Sequence, residues 1–210
     1  MMTAFAKEFY ALQESILLKS YHPNVESKCQ CGKGTASFRC AGHDSCFQAH
    51  PLCQTCIVRV HTALPFHRIE RWNGTHFQAT SLDTVGYVLH LGHAGQSCPN
   101  VDRNKSCQRQ MVIVHTNGFH KFSVRFCYCY HAPQEAIQLS NSQLFPATLE
   151  HPQTAFSFAV LDNFHQLTLS SKKSLYDYHD ALIKLTEPVF PQDVPVCRHM
   201  QSIDLANILY

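Results

Sequence analysis

The chain has 210 residues, of which 45% are hydrophobic and 15% charged, and its formal net charge is only +2. This length and composition exclude a disordered chain and allow one or two domains with hydrophobic cores. No run approaches the roughly 18 apolar residues of a membrane span, and the weak net charge does not by itself indicate a nucleic-acid binder. The unusual feature is the content of 11 cysteines and 15 histidines.

The first twenty residues predict an amphipathic helix. Apolar side chains recur at helical spacing at Phe5, Phe9, Leu12 and Ile16. We interpret residues 1–24 as a helix that packs on its own domain, with a partner-binding helix as the alternative. Charged residues interrupt this segment, so we expect no secretory signal and predict an intracellular protein in a reducing compartment, without membrane contact. There, clustered cysteines and histidines are better interpreted as metal ligands than as a disulfide framework.

Residues 28–70 contain the densest cluster, with eight suitable zinc ligands in 39 residues, the number that two tetrahedral sites require. A short helix is predicted from Cys53 to His61, with Ile57 and Val60 facing inward. Alternate pairing of the ligands, as in cross-braced zinc modules, predicts two sites. The first would use Cys29, Cys31, Cys53 and Cys56, and the second Cys40, Cys46, His61 and His67. His43 is an alternative to Cys46, His50 is a spare, and buried free thiols with surface histidines are the alternative to metal binding.

The segment 85–131 contains a β-hairpin signal, in which two β-rich runs flank Asn117-Gly118. On its second strand, alternation predicts that Lys121, Ser123 and Arg125 form a basic outer face. A third zinc site is predicted at the end of this strand. Its ligands would be His93, Cys98, Cys127 and Cys129. Cys107 and His120 compete for this site, Cys197 is left without a site, and ordinary core cysteines are the alternative.

After Pro133 the cysteines almost vanish, and residues 133–195 are interpreted as a helical region. Aromatic and aliphatic residues from Thr154 to Leu185 show helical spacing, with Thr154 and Asp162 as candidate helix caps. Residues 196–210 are interpreted as a tail. The predicted fold class is therefore α+β: a small zinc-stabilised, cross-brace-like module and a β-hairpin, together spanning residues 25–132, flanked by N-terminal and C-terminal helices.

Positive charge is concentrated in the centre of the chain. Residues 29–131 contain ten Lys and Arg but four Asp and Glu, a formal charge of +6. This excess permits phosphate contacts, and an ordinary solvated surface is the alternative. The candidate contacts are Arg59, Arg68, Arg71, Lys121 and Arg125.

No catalytic motif accompanies these clusters. The segment from Pro51 to Cys56 is superficially similar to a zinc deaminase, but no His-x-Glu precedes it. The chain also lacks a Gly-x-Ser-x-Gly elbow and a phosphate-binding glycine loop. We therefore expect a protein that is not an enzyme and has no small-molecule substrate.

Several short strings together resemble a known family. They are Cys-x-Cys-Gly, Phe-Arg-Cys, Pro-Leu-Cys-Gln-Thr-Cys, Pro65-Phe-His-Arg-Ile-Glu-Arg-Trp-Asn-Gly74, Phe126-Cys-Tyr-Cys129, Leu144-Phe-Pro-Ala-Thr148 and Ser171-Lys-Lys-Ser-Leu-Tyr-Asp-Tyr178. Over most of residues 5–195 the chain resembles the cysteine-cluster domain attached to Kyakuja-Dileera-Zisupton (KDZ) transposases. The family usually separates its second cysteine pair by two residues, whereas Cys40 and Cys46 have five between them.

The resemblance implies a zinc module that binds DNA or targets the element in the nucleus, and that precedes a catalytic domain. We expect the chain to end before that domain, as a truncated or domesticated fragment. The order of cysteines and histidines also resembles the B-box, which implies a protein-interaction module with an exposed apolar patch near Trp72 or Tyr128. A nonfunctional transposon remnant is the third hypothesis.

Overall fold

The computed structural model describes residues 2–18, 24–41, 46, 50–99 and 108–194. The chain divides into two compact units, the first running to Val85 and the second beginning at Gly86. The described residues contain five α-helices and two small sheets, so the α+β expectation is confirmed. His43, Cys107, Cys197 and the predicted tail 196–210 lie outside the described residues.

The first unit contains one three-stranded antiparallel sheet, in the order β1-β2-β3, and two helices. Its elements are α1 (Met2–Leu18), β1 (Phe38–Ala41), α2 (Gln54–Val60), β2 (Arg68–Trp72) and β3 (Phe77–Thr80). In the short helix α2, Ile57 is fully buried and His61, four residues later, is 1% exposed. Val60 is 45% exposed, so the prediction that it faces inward is wrong. The buried side of this two-turn helix is occupied by residues spaced four apart, beginning at Cys53.

Helix α1 has the predicted position but not the predicted packing. Every side chain described in it is exposed, including the apolar stripe Phe5, Phe9, Leu12 and Ile16 at 46–69%. The interpretation that this stripe packs on its own domain is therefore wrong for the described residues. Periodicity predicts which face of a helix is apolar, but it does not identify the surface that covers that face.

The second unit is built on a five-stranded mixed sheet in the order β4-β6-β5-β8-β7, in which β4 pairs parallel with β6 and β5 with β8. The strands are β4 (Val88–His90), β5 (Gln108–His115), β6 (Gly118–Arg125), β7 (Leu144–Pro146) and β8 (Thr154–Ser157), and the helices are α3 (Glu135–Asn141), α4 (Phe158–Ser171) and α5 (Leu175–Thr186). A hydrophobic core lies between β5, β6 and β8 and the helices α4 and α5. Its buried members are Val114, Phe119, Phe156, Val160, Leu161, Tyr178, Leu182 and Val194.

The β5–β6 hairpin forms with a small shift of its turn. His115 pairs with Gly118, so the two-residue loop is Thr116-Asn117, and Gly118 follows with φ of 115°. Glycine adopts this region without the steric cost of a Cβ atom. The predicted basic outer face of β6 is wrong at Ser123, which is 7% exposed and whose hydroxyl accepts a hydrogen bond from the Gln110 amide of β5 at 2.8 Å.

The helical region 133–195 contains two strands that the sequence did not predict. Thr154 begins β8 rather than capping a helix, and Asp162 lies inside α4; Ser157 and Ser174 are the N-caps that accept backbone N–H bonds. All four residues of β8 are buried. A strand that is covered on both faces shows no period-two alternation of apolar and polar residues. The apolar run of β8 was therefore interpreted as part of the helical pattern that follows it.

Candidate metal centres

Cluster 1 consists of Cys29, Cys31, Cys53 and Cys56. A tight turn presents the first pair: the Cys29 N–H donates to the Gly34 carbonyl at 2.8 Å, and the Gly32 N–H donates to the Cys29 carbonyl at 2.8 Å. The second pair opens α2, where Cys53 is the N-cap residue. The four sulfur atoms lie within 4.8 Å of one another, and Cys31 Sγ is 3.6 Å from Cys53 Sγ.

The electrostatics of cluster 1 favour a bound cation. Backbone N–H groups of Cys31 and Cys53 lower the pKa of Cys29 to about 6. In contrast, hydrogen bonding to Cys31 and burial raise the pKa of Cys56 to about 12. Four thiolates cannot be ionised side by side without a compensating charge, which a divalent metal provides. The guanidinium of Arg59 lies 3.6 Å from Cys56 Sγ and adds positive charge beside the cluster.

Cluster 2 consists of Cys40, Cys46, His61 and His67. Cys40 lies on β1, His61 caps the C-terminus of α2, and His67 directly precedes β2. Cys46 Sγ is 3.7 Å from His61 Nε2 and 3.6 Å from His67 Nδ1, and Cys40 Sγ is 3.4 Å from His67 Nδ1. His61 Nδ1 lies 2.8 Å from the Ile57 carbonyl. A proton on Nδ1 donates to that oxygen, which leaves the Nε2 lone pair directed at the cluster.

Clusters 1 and 2 alternate along the chain, because Cys29 and Cys31 precede the cysteines of cluster 2, and Cys53 and Cys56 precede its histidines. This is the cross-brace order that the sequence predicted. Each cluster ties two distant turns together, so the two sites are held by the same short sheet and helix.

Cluster 3 consists of His93, Cys98, Cys127 and Cys129 in the second unit. Strands β4 and β6 run parallel, so their carboxyl ends deliver His93 and Cys127 to the same edge. Cys98 Sγ lies 3.8 Å from Cys127 Sγ and 3.6 Å from Cys129 Sγ. His93 Nε2 lies 3.3 Å from Cys127 Sγ and 3.5 Å from Cys129 Sγ.

The loop that carries His93 has an uncommon backbone. His93, Ala94 and Gly95 all have positive φ, at 51°, 54° and 83°. For the two residues with side chains this conformation costs about 1–2 kcal/mol each. Just before them, a Cβ atom on Gly92 would lie 2.8 Å from Cys127 Cβ, so only glycine permits this approach. Strain concentrated beside a cluster of ligand atoms is typical of a functional site.

Gln138, which the sequence analysis missed, holds cluster 3 from behind. Its side chain accepts from the Cys127 N–H at 2.7 Å and donates to the Cys127 carbonyl at 2.8 Å. Gln138 is 3% exposed and lies on α3. Nearby, Glu135 accepts both guanidinium N–H groups of Arg109 at 2.8 and 2.9 Å and the Tyr128 hydroxyl at 2.6 Å. No local motif marks a glutamine for this role, since its partners are backbone groups.

The three clusters fit a tetrahedral divalent ion. With metal–sulfur distances of about 2.3 Å and metal–nitrogen distances of about 2.0 Å, the edges of a tetrahedron are about 3.5–3.8 Å. The sulfur–sulfur and sulfur–nitrogen distances given above lie between 3.3 and 3.8 Å. All nine cysteines in the described ranges are free thiols. Cluster 1 offers four thiolates, cluster 2 two thiolates and two imidazoles, and cluster 3 three thiolates and one imidazole. All three donor sets match the ligand preferences of structural zinc.

Other ligand candidates do not join these clusters. His120 Nε2 lies 2.7 Å from Asn117 Oδ1, and its ring stacks on Phe122. His50 is exposed and is absent from the three groups. Since His43 is outside the described residues, the structure shows only that Cys46 occupies the fourth position of cluster 2.

The five candidate phosphate contacts have different environments. Arg59 contacts Cys56, Arg125 donates to Gln108 at 3.0 Å, and burial lowers the pKa of Arg68. Arg71 and Lys121 are exposed, and neither makes an ion pair within the described part of the chain.

Sequence analysis predicted an exposed apolar patch near Trp72 or Tyr128, but the main exposed apolar surface of the described residues lies elsewhere. Trp72 is only partly exposed and packs edge-on against Phe77 at 5.2 Å. Tyr128 is 49% exposed, but its hydroxyl is bound to Glu135. The most contiguous exposed apolar residues in the described ranges belong to α1.

The fold and these sites define a small α+β protein with three candidate metal centres. Residues 82–189, just over half of the chain, match the family described as CxC2 like cysteine cluster associated with KDZ transposases, and the chain belongs to this family. The matched segment contains cluster 3, whereas clusters 1 and 2 precede it. No curated protein and no solved structure shows a significant match. Among the described residues, no helix has the length and apolar character needed to span a membrane.

Proposed function

We propose that the protein is a zinc-organised nucleic-acid-binding module that acts by binding and not by catalysis. The observation that carries this proposal is the presence of three compact four-ligand clusters within a family associated with KDZ transposases. Catalytic zinc requires an open coordination position for water or substrate. Each cluster supplies four protein ligands, which supports a closed, structural role.

Zinc binding is tested by native mass spectrometry of the purified chain. We expect three zinc ions in the wild-type protein. Cys29→Ser, Cys40→Ser and Cys98→Ser each remove one ligand from a different cluster, and each is expected to lose one ion. A wild-type protein without any metal, isolated under reducing conditions, would contradict the proposal.

Nucleic-acid binding is supported by the excess of basic residues in the centre of the chain and by the exposed cations Arg71 and Lys121, which make no ion pair with described residues. The test is fluorescence anisotropy with a labelled DNA duplex between about 50 and 200 mM salt, where each neutralised phosphate contributes a slope of about −0.9. We expect a slope of at least about −2, because both of these cations would contact phosphates. Binding that is absent at low salt, or independent of salt, would contradict this role. We propose that the protein acts in the nucleus.

A second candidate function is protein–protein association through α1, with a second copy of this chain as the partner. Phe5, Phe9, Leu12 and Ile16 alternate at spacings of four and three, which is the a/d pattern of a coiled-coil seam. All four are exposed. Most of the stability of a helix in a protein comes from packing of its amphipathic face, so burial of this stripe in a helix pair would stabilise α1.

Analytical ultracentrifugation over a concentration series tests this association. We expect a monomer–dimer equilibrium that Phe9→Glu abolishes. Tyr10→Glu is the matched control, because Tyr10 is 79% exposed but lies off the stripe. A wild-type chain that stays monomeric at all concentrations, or equal effects of the two substitutions, would reject this function.

A further inference from the structure

One pocket of the first unit is separate from the metal clusters. It has a volume of about 410 Å³ and lies against the three-stranded sheet. We call it the Arg71 pocket; its polar lining residues are Thr35, Ser37, Gln54, Arg71, Thr80 and Thr84. Among the described residues that line it there is no carboxylate, so the guanidinium of Arg71 is their one formally charged group.

The hydrogen bonds inside the Arg71 pocket leave at least three donor groups available. The Thr84 hydroxyl donates to the Ser81 carbonyl at 2.7 Å, so in the 2.8 Å contact between Thr80 and Thr84 the Thr80 hydroxyl is the donor. Thr35 and Ser37 make no side-chain hydrogen bond with any described residue. Arg71 is likewise without an ion pair there. The available groups therefore include one guanidinium and two hydroxyls, beside the second N–H of the Gln54 amide, whose first N–H donates to the Val85 carbonyl at 3.0 Å.

The position of the guanidinium is supported by an aromatic ring. Arg71 and Phe38 are cross-strand partners, and the Arg71 guanidinium carbon lies 5.8 Å from the centre of the Phe38 ring. A cation at this distance is attracted to the ring face. Since Phe38 is 6% exposed and belongs to the unit's interior, this contact holds the guanidinium over the sheet.

The available donors select an oxyanion. A guanidinium binds phosphate through two parallel N–H bonds, and hydroxyl groups supply neutral donors to the remaining oxygens. The volume exceeds that of one phosphate and leaves room for the sugars on either side. We propose that the Arg71 pocket binds one backbone phosphate of a nucleic acid, with Arg71 as the charged ligand and Thr35 and Ser37 as hydroxyl ligands. This inference rests on the proposed nucleic-acid-binding function and names the site that serves it.

The test uses the zinc-loaded full chain and two probes, a labelled DNA duplex and inorganic phosphate. Arg71→Gln removes the charge, and Arg71→Lys keeps the charge but loses the paired N–H bonds. Lys33→Gln is the matched control, because it removes one exposed positive charge from the same unit outside the pocket. Amide NMR spectra recorded with inorganic phosphate report on Thr35, Ser37 and Arg71 directly.

We expect Arg71→Gln to weaken duplex binding about tenfold and to reduce the salt slope by about 0.9. Arg71→Lys should restore the salt slope but only part of the affinity, and Lys33→Gln should change affinity less than about twofold. Inorganic phosphate should shift the pocket amides in the wild type but not in Arg71→Gln.

The two proposals fail differently. If the wild type binds DNA but Arg71→Gln and Lys33→Gln behave alike, the pocket assignment is wrong and the proposed function stands. If the wild type binds no duplex while inorganic phosphate still shifts the pocket amides, the pocket is an anion site, and its assignment to nucleic acid is overturned together with the proposed function.

Discussion

The two compact units bury different chemistry. In the first unit, one buried cluster is formed by Cys29, Cys53 and Cys56 with Ala36. In the second unit, one buried cluster is aromatic and aliphatic, with Phe119, Phe156, Tyr178 and Leu182 among its members. A cysteine side chain is a small hydrophobe and buries less apolar area than a Phe or Leu side chain, so the cysteine-rich cluster gains less from the hydrophobic effect than the aromatic one does, although Ile57 and Ile69 are also buried in the first unit. We therefore expect bound metal to supply a larger share of the stability of the first unit than of the second.

Removal of metal should therefore produce the largest difference in stability between the two units. Structural zinc contributes about 10–16 kcal/mol of apparent binding free energy, which exceeds the stability of most small domains. With a strong chelator we expect the first unit to unfold and the second unit to keep the core of α4, α5 and the sheet.

The fluorescence of Trp72 reports on the first unit alone, because Trp72 is the single tryptophan of the chain and lies in that unit. Its fluorescence should shift to longer wavelength on chelation, while proteolysis and hydrogen exchange show protection retained in β5, β8 and α5. Unchanged Trp72 emission and unchanged thermal resistance after complete metal removal would refute the contrast between the units.

A core truncation should produce the opposite pattern. Leu182 is 1% exposed, and Leu182→Ala is expected to lower the free energy of unfolding of the second unit by about 3 kcal/mol. Trp72 emission and the ions of clusters 1 and 2 should stay unchanged. Leu185→Ala is the control, because Leu185 lies on the same helix and is 45% exposed. Equal destabilisation by both substitutions, measured by urea unfolding with hydrogen exchange, would argue against a core centred on Leu182.

The sequence predicted the three cysteine/histidine clusters better than it predicted the sheets. Ligand spacing constrains which cysteines and histidines can meet, and the structure groups all twelve candidates as the spacing indicated. Whether they bind zinc stays a prediction. Strand pairing depends on partners far apart in sequence, so the pairing of β8 with β5 was not visible from the segment around Thr154.

Supporting residues were also out of reach of a sequence pattern. Gln138 has its role because it hydrogen-bonds the N–H and the carbonyl of Cys127. These backbone groups become its neighbours only after α3 packs beside cluster 3. Likewise, Arg59 is an exposed, basic residue of α2 that lies beside cluster 1 because it contacts Cys56. Both roles depend on folded geometry rather than on residue type.

Substitution of Gln138 tests whether this side chain orients the ligands of cluster 3. Gln138→Leu keeps the volume of the side chain approximately but removes both bonds to Cys127. Since groups that orient metal ligands typically contribute about 10–100-fold to metal affinity, we expect a loss of that size at cluster 3 only. Competition with a chromophoric chelator measures it.

Gln110→Leu is the matched control, because Gln110 donates to Ser123 at 2.8 Å in the same sheet and is not a member of cluster 3. If both substitutions weaken the third ion equally, the effect comes from general loosening of the sheet. Metal affinity at cluster 3 that is unaffected by Gln138→Leu would remove Gln138 from the site.

The smallest expected effect concerns the carboxylate beside cluster 3. Burial opposes ionisation of Glu135, but hydrogen bonds from Arg109 and Tyr128 prevail and hold its pKa below the usual 4.5. A carboxyl whose pKa is lower in the folded state stabilises the protein above its unfolded pKa, and this contribution is lost as pH falls through the folded pKa. Because the pair with Arg109 is partly exposed, we expect a contribution of about 1 kcal/mol near neutral pH.

Comparing wild type with Glu135→Gln isolates this contribution, since acid affects the metal ligands of both proteins alike. The difference between their free energies of unfolding should be constant from about pH 7 to about pH 5 and should shrink at lower pH, as the wild-type carboxyl takes up its proton. A difference that grows on acidification would mean that Glu135 stabilises the second unit in its protonated form. The pair with Arg109 would then be a consequence of folding and not one of its supports.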